Sequence, residues 1–119
     1  MKRNHRSLRA WQQSVELVEA VYALTSSFPT EERYGLAGQM RRAAVSAPAN
    51  IAEGAARAGT KEYMYFLSIA SGSLSELDTL LTLATRLGYA PDVEALQAKL
   101  DDVSGLILGL SASLKRRGT

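Results

Sequence analysis

Apolar residues recur at intervals of three and four in four stretches of the chain. This spacing places side chains on one face of an α-helix. The stretch 93–114 is the most regular and predicts a helix with a heptad seam, and 61–87 predicts another long helix. Glycine and proline interrupt the pattern near 28–30, 54–59 and 88–91. Four long helices with short connections predict an all-α fold, an antiparallel up-down-up-down four-helix bundle.

The first predicted helix, over about 7–27, has a broad apolar surface. Its apolar residues form two offset seams, one of Leu8, Trp11, Val15, Val18 and Tyr22, the other of Leu17, Val21, Leu24 and Phe28. An arc of this width is more than one neighbouring helix covers. The helix is therefore expected either to lie deep in the bundle or to contribute to a subunit interface.

Capping residues indicate where the helices begin and end. Ser7 is a predicted N-cap of the first helix, and Thr60 is a predicted N-cap of the third. Gly88 is expected to be the glycine just past the end of the third helix. Pro91 is expected at the beginning of the fourth, because its fixed φ suits a first helical turn.

The stretch 39–57 combines seven alanines with Pro48 and several polar residues. Such small side chains let neighbouring helices approach closely, and Pro48 predicts a kink or a helix restart. Gly54 and Gly59 are expected to permit the turn that follows. The polar residues are Gln39, Arg42, Ser46, Asn50 and Glu53. They form either a binding or catalytic site or a structural hydrogen-bond network, and the network is favoured because the set lacks a nucleophile, a histidine and metal-ligand spacing.

Length and composition narrow the class of protein. The 119 residues predict one domain over 1–119 with a modest core. No apolar run approaches the roughly 20 residues that span a bilayer, and the basic N-terminal segment lacks the apolar stretch of a secretory signal. A cytoplasmic location without a membrane partner is expected. The chain has no cysteine, which excludes disulfides and thiolate metal sites, and neither a cofactor nor a metal is expected.

The net charge is only +2, yet the basic residues are concentrated near both ends of the chain, with basic tails expected at about 1–6 and 115–119. In the predicted topology the start of the first helix, the turn between the second and third, and the end of the fourth share one end of the bundle. The residues expected to converge there as a nucleic-acid site are Arg3, Arg6, Arg9, Arg57, Lys61, Lys115, Arg116 and Arg117. The acids expected at the opposite end are Glu31, Glu32, Asp92 and Glu94. A basic end suits phosphate groups, and the same residues also suit solubilising tails.

Several sequence blocks match the pattern of a known bacterial family. They are Trp11-Gln12, Phe28-Pro29-x-x-Glu32, Gln39-x-Arg41-Arg42-Ala43, Ser46-x-Pro48-x-Asn50-Ile51-Ala52-Glu53-Gly54 and Phe66-Leu67-x-Ile69-Ala70-x-Gly72-Ser73-x-x-Glu76-Leu77. On these blocks nearly the whole chain resembles the 23S ribosomal RNA intervening-sequence proteins. The resemblance implies a four-helix bundle that forms a ring-shaped homopentamer and has no known enzymatic activity. The family is similar to the accessory variability determinant of diversity-generating retroelements, a more basic pentameric bundle that binds a reverse transcriptase and nucleic acid.

Two functional hypotheses follow. The first is a non-enzymatic homo-oligomer that binds RNA or DNA through its basic end. The second is a protein–protein interaction scaffold, with a partner such as a reverse transcriptase and no direct contact with nucleic acid. An enzyme is disfavoured because the single histidine, His5, lies in the N-terminal tail, and because the sequence contains neither a Glu-x-x-His pair nor a glycine-rich phosphate loop.

Overall fold

A computed structural model describes residues 4–118, and within that range the secondary structure is helical, without a strand. The all-α prediction is therefore confirmed. The four long helices are α1 (Arg9–Thr25), α2 (Leu36–Ala55), α3 (Thr60–Arg86) and α4 (Glu94–Gly118). Short 3₁₀ helices at Asn4–Ser7 and Thr30–Glu32 precede α1 and α2.

Each long helix packs against two others. The most extensive contact joins α2 and α3, and α1 packs against both α2 and α4, while α4 also packs against α3. The buried apolar residues of all four helices form one core. The molecule measures 47 × 25 × 19 Å, and its long dimension reflects a 27-residue α3 of about 40 Å. Within residues 4–118, every helix is too short or too polar to cross a bilayer.

The buried face of α1 is built largely from small residues. It consists of Ala10, Ser14, Leu17, Val21 and Thr25. The second of the two predicted seams is therefore the inner one, whereas the first is half-buried as far as Val18 and exposed at Tyr22. Ser14 and Thr25 can be buried because each hydroxyl donates to a carbonyl of the same helix, at 2.8 Å.

The predicted N-cap at Ser7 is wrong. Leu8 occupies the N-cap position of α1 and makes no side-chain capping bond. The physical reason is the preceding 3₁₀ helix, of which Ser7 is the last residue. The Leu8 N–H donates to the His5 carbonyl at 3.0 Å, so this turn continues directly into α1.

Glu32 fastens the connection between α1 and α2. Its Oε1 accepts the Leu36 N–H at 3.0 Å, satisfying one of the backbone donors that the first turn of α2 leaves unpaired. Its Oε2 accepts the Tyr89 hydroxyl at 3.1 Å. The Tyr89 ring also lies 5.5 Å from the Phe28 ring. The connection before α2 is thereby tied to the connection before α4.

α2 continues through Pro48 as one helix. The predicted alternative of a helix restart at Pro48 is therefore wrong. Ala43, Ala44 and Ala47 face the core, and the helix continues to Ala55. Gly54 lies within α2 rather than in the turn that follows it. Its absent side chain makes room for α3, because a Cβ there would come within 3.0 Å of both Phe66 and Tyr63.

α3 begins one residue earlier than predicted. Gly59, in an extended conformation, is the N-cap, and Thr60 is the first helical residue. The predicted glycine end is confirmed: Gly88 has φ +82°, in the left-handed region that glycine occupies without a Cβ penalty. The Tyr89 N–H donates to the Ala84 carbonyl at 2.9 Å and the Gly88 N–H to that of Thr85 at 3.1 Å, the paired bonds of a Schellman motif.

α4 buries part of its predicted seam. Leu100, Val103, Ile107 and Leu114 are buried, while Leu96 and Leu110 are half-buried. Pro91 is not at the beginning of α4, which starts at Glu94. The Asp92 carboxylate accepts the N–H of Glu94, the first residue of α4, at 3.4 Å. Asp92 rather than Pro91 therefore contacts the start of the helix.

Candidate nucleic-acid interface

The first turns of α3 are the meeting point for three of the predicted basic residues. Lys61 is the second residue of this helix and is exposed. Arg57, just after α2, lies over the Phe66 ring at 4.9 Å. Arg117, near the end of α4, is close enough for its charge to act on the Tyr63 hydroxyl. Of the eight basic residues predicted to converge, these contacts place Arg57, Lys61 and Arg117 at the first turns of α3.

The end of α4 packs directly on the start of α3. A Cβ at Gly118 would lie 3.1 Å from the Thr60 methyl carbon. Burial raises the pKa of Tyr63, and the nearby positive charge of Arg117 partly offsets the increase by favouring the phenolate. The last turn of α4 is therefore part of the folded surface rather than a detached tail.

Among residues 4–118, Arg57 is the only one of these three cations that forms an ion pair with a carboxylate. Its guanidinium donates to Glu53 at 2.7 Å, one helical turn back, and both side chains are about half exposed. An exposed pair of this kind contributes less than about 1 kcal/mol, because water screens it. Glu53 holds Arg57 near Phe66 and also offsets part of its charge.

Three further basic residues of the predicted site, Arg3, Arg6 and Arg9, precede or begin α1. Arg3 lies outside the described residues. Arg6 is exposed, with its guanidinium 5.6 Å from the Trp11 ring, and its carbonyl accepts from the Gln12 amide at 2.9 Å. Arg9 is exposed as the first residue of α1. The segment that carries Arg6 contacts both α1 and α2.

Lys115 and Arg116 lie with Arg117 in the last turn of α4, and all three are exposed. Cations in this position interact favourably with the negative end of the helix dipole. Their placement on a helix fixes their backbones, so the C-terminal basic cluster is presented by α4 as far as Gly118.

The predicted polar network is divided into separate groups. Asn50 donates from its amide to Ser46 twice, to the carbonyl at 2.8 Å and to the hydroxyl at 2.9 Å. Ser73 of α3 donates to the same Ser46 hydroxyl at 2.7 Å. These three half-buried residues connect α2 with α3. Their geometry is that of a packing contact between helices.

The other members of that predicted set are exposed. Glu53 pairs with Arg57 at the end of α2. Gln39 is exposed, and Arg42 is exposed beside Tyr22, Val45 and the surface cavity that they line. The five residues therefore do not converge on one reaction centre.

The chain matches one known protein family. A family model described as 23S rRNA-intervening sequence protein matches residues 6–109. The chain belongs to this family. The match includes Arg6, Arg9, Arg57 and Lys61, whereas the basic last turn of α4 lies beyond it. A comparison with curated protein sequences found no match.

The chemical inventory of this 23S rRNA-intervening sequence protein is limited. Across residues 4–118, no three His, Asp or Glu side chains lie together in a way that could hold a metal ion. His5 lies beside Trp11, with the ring centroids 5.0 Å apart. Every buried side-chain nitrogen or oxygen in the described part has a hydrogen-bond partner.

Two long-range contacts of this family member were not predicted from its sequence. Arg41 donates from Nε to the Thr25 hydroxyl at 2.8 Å, and Tyr89 donates to Glu32. The partners are 16 and 57 positions apart, so no helical spacing relates them. The only local indication was the Arg41-Arg42 pair inside a helix that is otherwise rich in alanine.

Proposed function

We propose that this 23S rRNA-intervening sequence protein is a non-enzymatic, cytoplasmic homo-oligomer that binds RNA through its basic end. The observation that carries the proposal is the convergence of Arg57, Lys61 and Arg117 on the first turns of α3. α3, α4 and the connection just after α2 supply these cations, so their spacing is set by the fold. Fixed cations of this kind bind phosphates without reading base sequence.

An antiparallel up-down-up-down order extends the basic end to α1. The register of contacts supports this order: Ser46 meets Ser73 while Gly54 meets Phe66, so α2 and α3 run in opposite directions. α4 behaves likewise toward α3, because Gln97 donates to Asp78 at 2.8 Å while Gly118 lies beside Thr60. With α1 antiparallel to both neighbours, Arg6 and Arg9 join the same end.

A second copy of the chain would cover apolar surface that the single chain leaves open. The outer seam of α1 runs from half-buried Trp11 to Tyr22, which is 44% exposed. Other large exposed apolar residues are Tyr34, Val45, Tyr65, Leu83, Leu87 and Leu108. Burial of these side chains against a second copy would stabilise a homo-oligomer. The resemblance noted above implies a ring of five.

Assembly strengthens an electrostatic site that is weak in one chain. The single chain carries only +2, whereas a parallel ring of five would carry about +10 and present five basic ends on one face. Binding should therefore depend on the oligomer and decrease steeply with salt, since each phosphate contact releases counterions. The Glu53–Arg57 pair makes Lys61 and Arg117 the stronger contributors to this binding.

A protein–protein interaction scaffold is the second candidate function. Tyr65 and Leu108, each 61% exposed, are the observation that favours it. In that case the apolar surface binds another protein, such as a reverse transcriptase, and the basic end only keeps the bundle in solution. The two candidates differ in whether the protein binds nucleic acid directly.

The deciding experiment measures fluorescence anisotropy of a labelled structured RNA and a matched DNA, at low and at physiological salt. Lys61→Glu combined with Arg57→Glu is compared with Arg86→Glu, an exposed arginine at the far end of α3, about 40 Å away. Light scattering and circular dichroism check the oligomer and the fold. We expect the double variant to lose RNA binding while Arg86→Glu retains it. Equal binding by the two would reject the basic end, and absence of binding by an intact wild-type oligomer at low salt would favour the scaffold.

A further inference from the structure

A cavity of about 360 Å³ lies between the end of α1 and the start of α2. Its lining is part polar and part apolar: Thr25, Ser26, Phe28, Pro29, Thr30, Arg33, Ala37 and Arg41. Two arginines thus face one cavity, and no acidic residue lines it. The cavity is separate from the basic end, because α2 extends about 30 Å from Leu36 to Ala55 before Arg57 follows.

Arg41 is held in place before any ligand arrives. Its Nε donates to the Thr25 hydroxyl at 2.8 Å, and its guanidinium lies over the Tyr22 ring at 4.6 Å. The Thr25 hydroxyl in turn donates to the Val21 carbonyl at 2.8 Å, which fixes it as an acceptor toward Arg41. These two contacts use the Nε–H group and one face of the Arg41 guanidinium. The terminal N–H groups still form a planar fork that can donate to a ligand.

Neither arginine of the cavity forms an ion pair with a described residue. Within residues 4–118, no Asp or Glu lies at ion-pair distance from Arg33 or Arg41. The neighbouring Glu32 is directed elsewhere, since it accepts from Leu36 and Tyr89. The cavity therefore has two arginines without an ion-pair partner among the described residues, beside an apolar wall formed by Phe28 and Ala37.

Hydroxyl groups hydrogen-bond to carbonyl groups at the end of α1. Carbonyl groups at a helix C-terminus usually repel anions. Here the hydroxyls of Thr25, Ser26 and Ser27 each donate to a carbonyl of that last turn, at 2.7–2.9 Å. Thr30 also contributes a hydroxyl to the cavity lining. Arg33 and Arg41 are the charged side chains that line the cavity.

We propose that this cavity binds the phosphate group of a small phosphate monoester, with Arg33 and Arg41 as its charged contacts. A phosphate monoester carries a charge of about −1.5 to −2 at neutral pH, which matches two guanidinium groups. The fork of Arg41 contacts two phosphate oxygens, and the apolar wall packs against the organic substituent. A cavity of about 360 Å³ exceeds the needs of a bare phosphate ion and has room for that substituent.

Isothermal titration calorimetry with phenyl phosphate tests the proposal, with inorganic phosphate as the second probe at matched ionic strength. We expect saturable binding of phenyl phosphate, at least about tenfold tighter than that of inorganic phosphate because of the apolar wall. Arg33→Gln should weaken it at least about tenfold by removing charge-assisted hydrogen bonds. The control is Arg86→Gln, an exposed arginine that does not line this cavity and should bind as wild type does.

A second variant addresses Arg41, whose side chain also supports α1. Arg41→Lys keeps the charge but loses the planar fork, so it should bind phenyl phosphate several-fold more weakly while remaining folded. Amide chemical-shift changes on phenyl phosphate addition should be centred on residues 25–41. Absence of saturable phenyl phosphate binding, or equal affinity of Arg33→Gln and Arg86→Gln, would overturn the proposal. Equal affinity for both probes would reject the monoester as the ligand.

Discussion

Gly54 lies directly against Tyr63. A Cβ at position 54 would come within 3.0 Å of the Tyr63 ring and 3.1 Å of its carbonyl oxygen, and within 3.0 Å of the Phe66 Cβ. Distances this short between a Cβ and a neighbouring backbone atom require α3 to move. The glycine therefore sets how closely α2 and α3 approach beside the basic end.

Gly54→Ala should destabilise the fold by about 1–2 kcal/mol. Overpacking in a tight helix contact costs about 1–3 kcal/mol, and the better helix propensity of alanine recovers up to about 1 kcal/mol of it. Chemical denaturation monitored by circular dichroism measures the difference. The same variant should weaken RNA binding if the basic end depends on this packing.

Gly72→Ala is the matched control within α3. No atom lies within 4 Å of a Cβ built there, and the residue is exposed in the helix interior. Its only expected effect is the propensity gain, about 0.5–1 kcal/mol of added stability. A Gly54→Ala protein that is as stable as Gly72→Ala would contradict the close approach of the two helices.

The hydrogen bond between Ser73 and Ser46 should be measurable as a coupling energy. Ser46→Ala removes the acceptor of both Ser73 and Asn50, and we expect a loss of about 1 kcal/mol. In a double-mutant cycle with Ser73→Ala, the coupling should be about 0.5–1 kcal/mol. Ser68→Ala is the control, because Ser68 is exposed and donates only within its own helix. Purely additive effects at Ser46 and Ser73 would show that this bond does not connect α2 and α3.

Helical periodicity predicted the four long helices more accurately than it predicted which face of each helix is buried. In the third helix the apolar residues spaced by three and four positions are buried, namely Leu67, Ala70, Leu74, Leu77, Leu81 and Ala84, and Leu80 beside this seam is buried as well. In the first helix the same criterion gave equal weight to two seams, because the inner face depends on Ala10, Ser14 and Thr25. A serine or threonine can be buried when its hydroxyl donates a hydrogen bond to a nearby backbone carbonyl. The pattern of apolar residues does not predict such positions.

The candidate site was predictable only as far as chain topology determines it. The predicted helix order places Arg57, Lys61 and Arg117 at one end of the bundle, and in the structure these three residues lie at the first turns of α3. The pairing of Glu53 with Arg57 follows helical spacing, whereas the polar pattern of the sequence predicts that Glu53 belongs to the network around Asn50. The arginine-lined cavity was not predicted, since Arg33 and Arg41 come together with Thr25 only through the turn between α1 and α2.

The Tyr89–Glu32 bond should make stability fall at alkaline pH. Hydrogen bonding to the Glu32 carboxylate raises the pKa of Tyr89, with burial and the charges of Glu32 and Glu31 acting in the same direction. A raised pKa means that the folded state holds the phenol proton more tightly than the unfolded state. The contribution is therefore fully present below the ordinary tyrosine pKa of about 10 and is lost as the pH rises through the higher folded value.

Tyr89→Phe isolates this effect. Wild type should be more stable than the variant up to about pH 10, and the difference should shrink above it. Thermal melts of both proteins across this range provide the measurement. The raised pKa of Tyr63 acts in both proteins, so it cancels from the difference. A difference that is independent of pH through the alkaline range would contradict a phenol–carboxylate bond.

Removing the charge of Arg117 should raise the pKa of Tyr63 further. Burial is the larger influence and raises this pKa, while Arg117 lowers it by stabilising the phenolate. In Arg117→Gln only the burial effect remains, which an NMR titration of ring-labelled tyrosine would detect at Tyr63. Arg86→Gln, altered at the other end of α3, should leave that pKa unchanged.

The same titration at high salt distinguishes contact from distant influence, since screening weakens an exposed charge beyond about 10 Å. A Tyr63 pKa insensitive to Arg117→Gln would mean that the end of α4 does not stay beside α3, and the basic end would then lose one of its three converging helices.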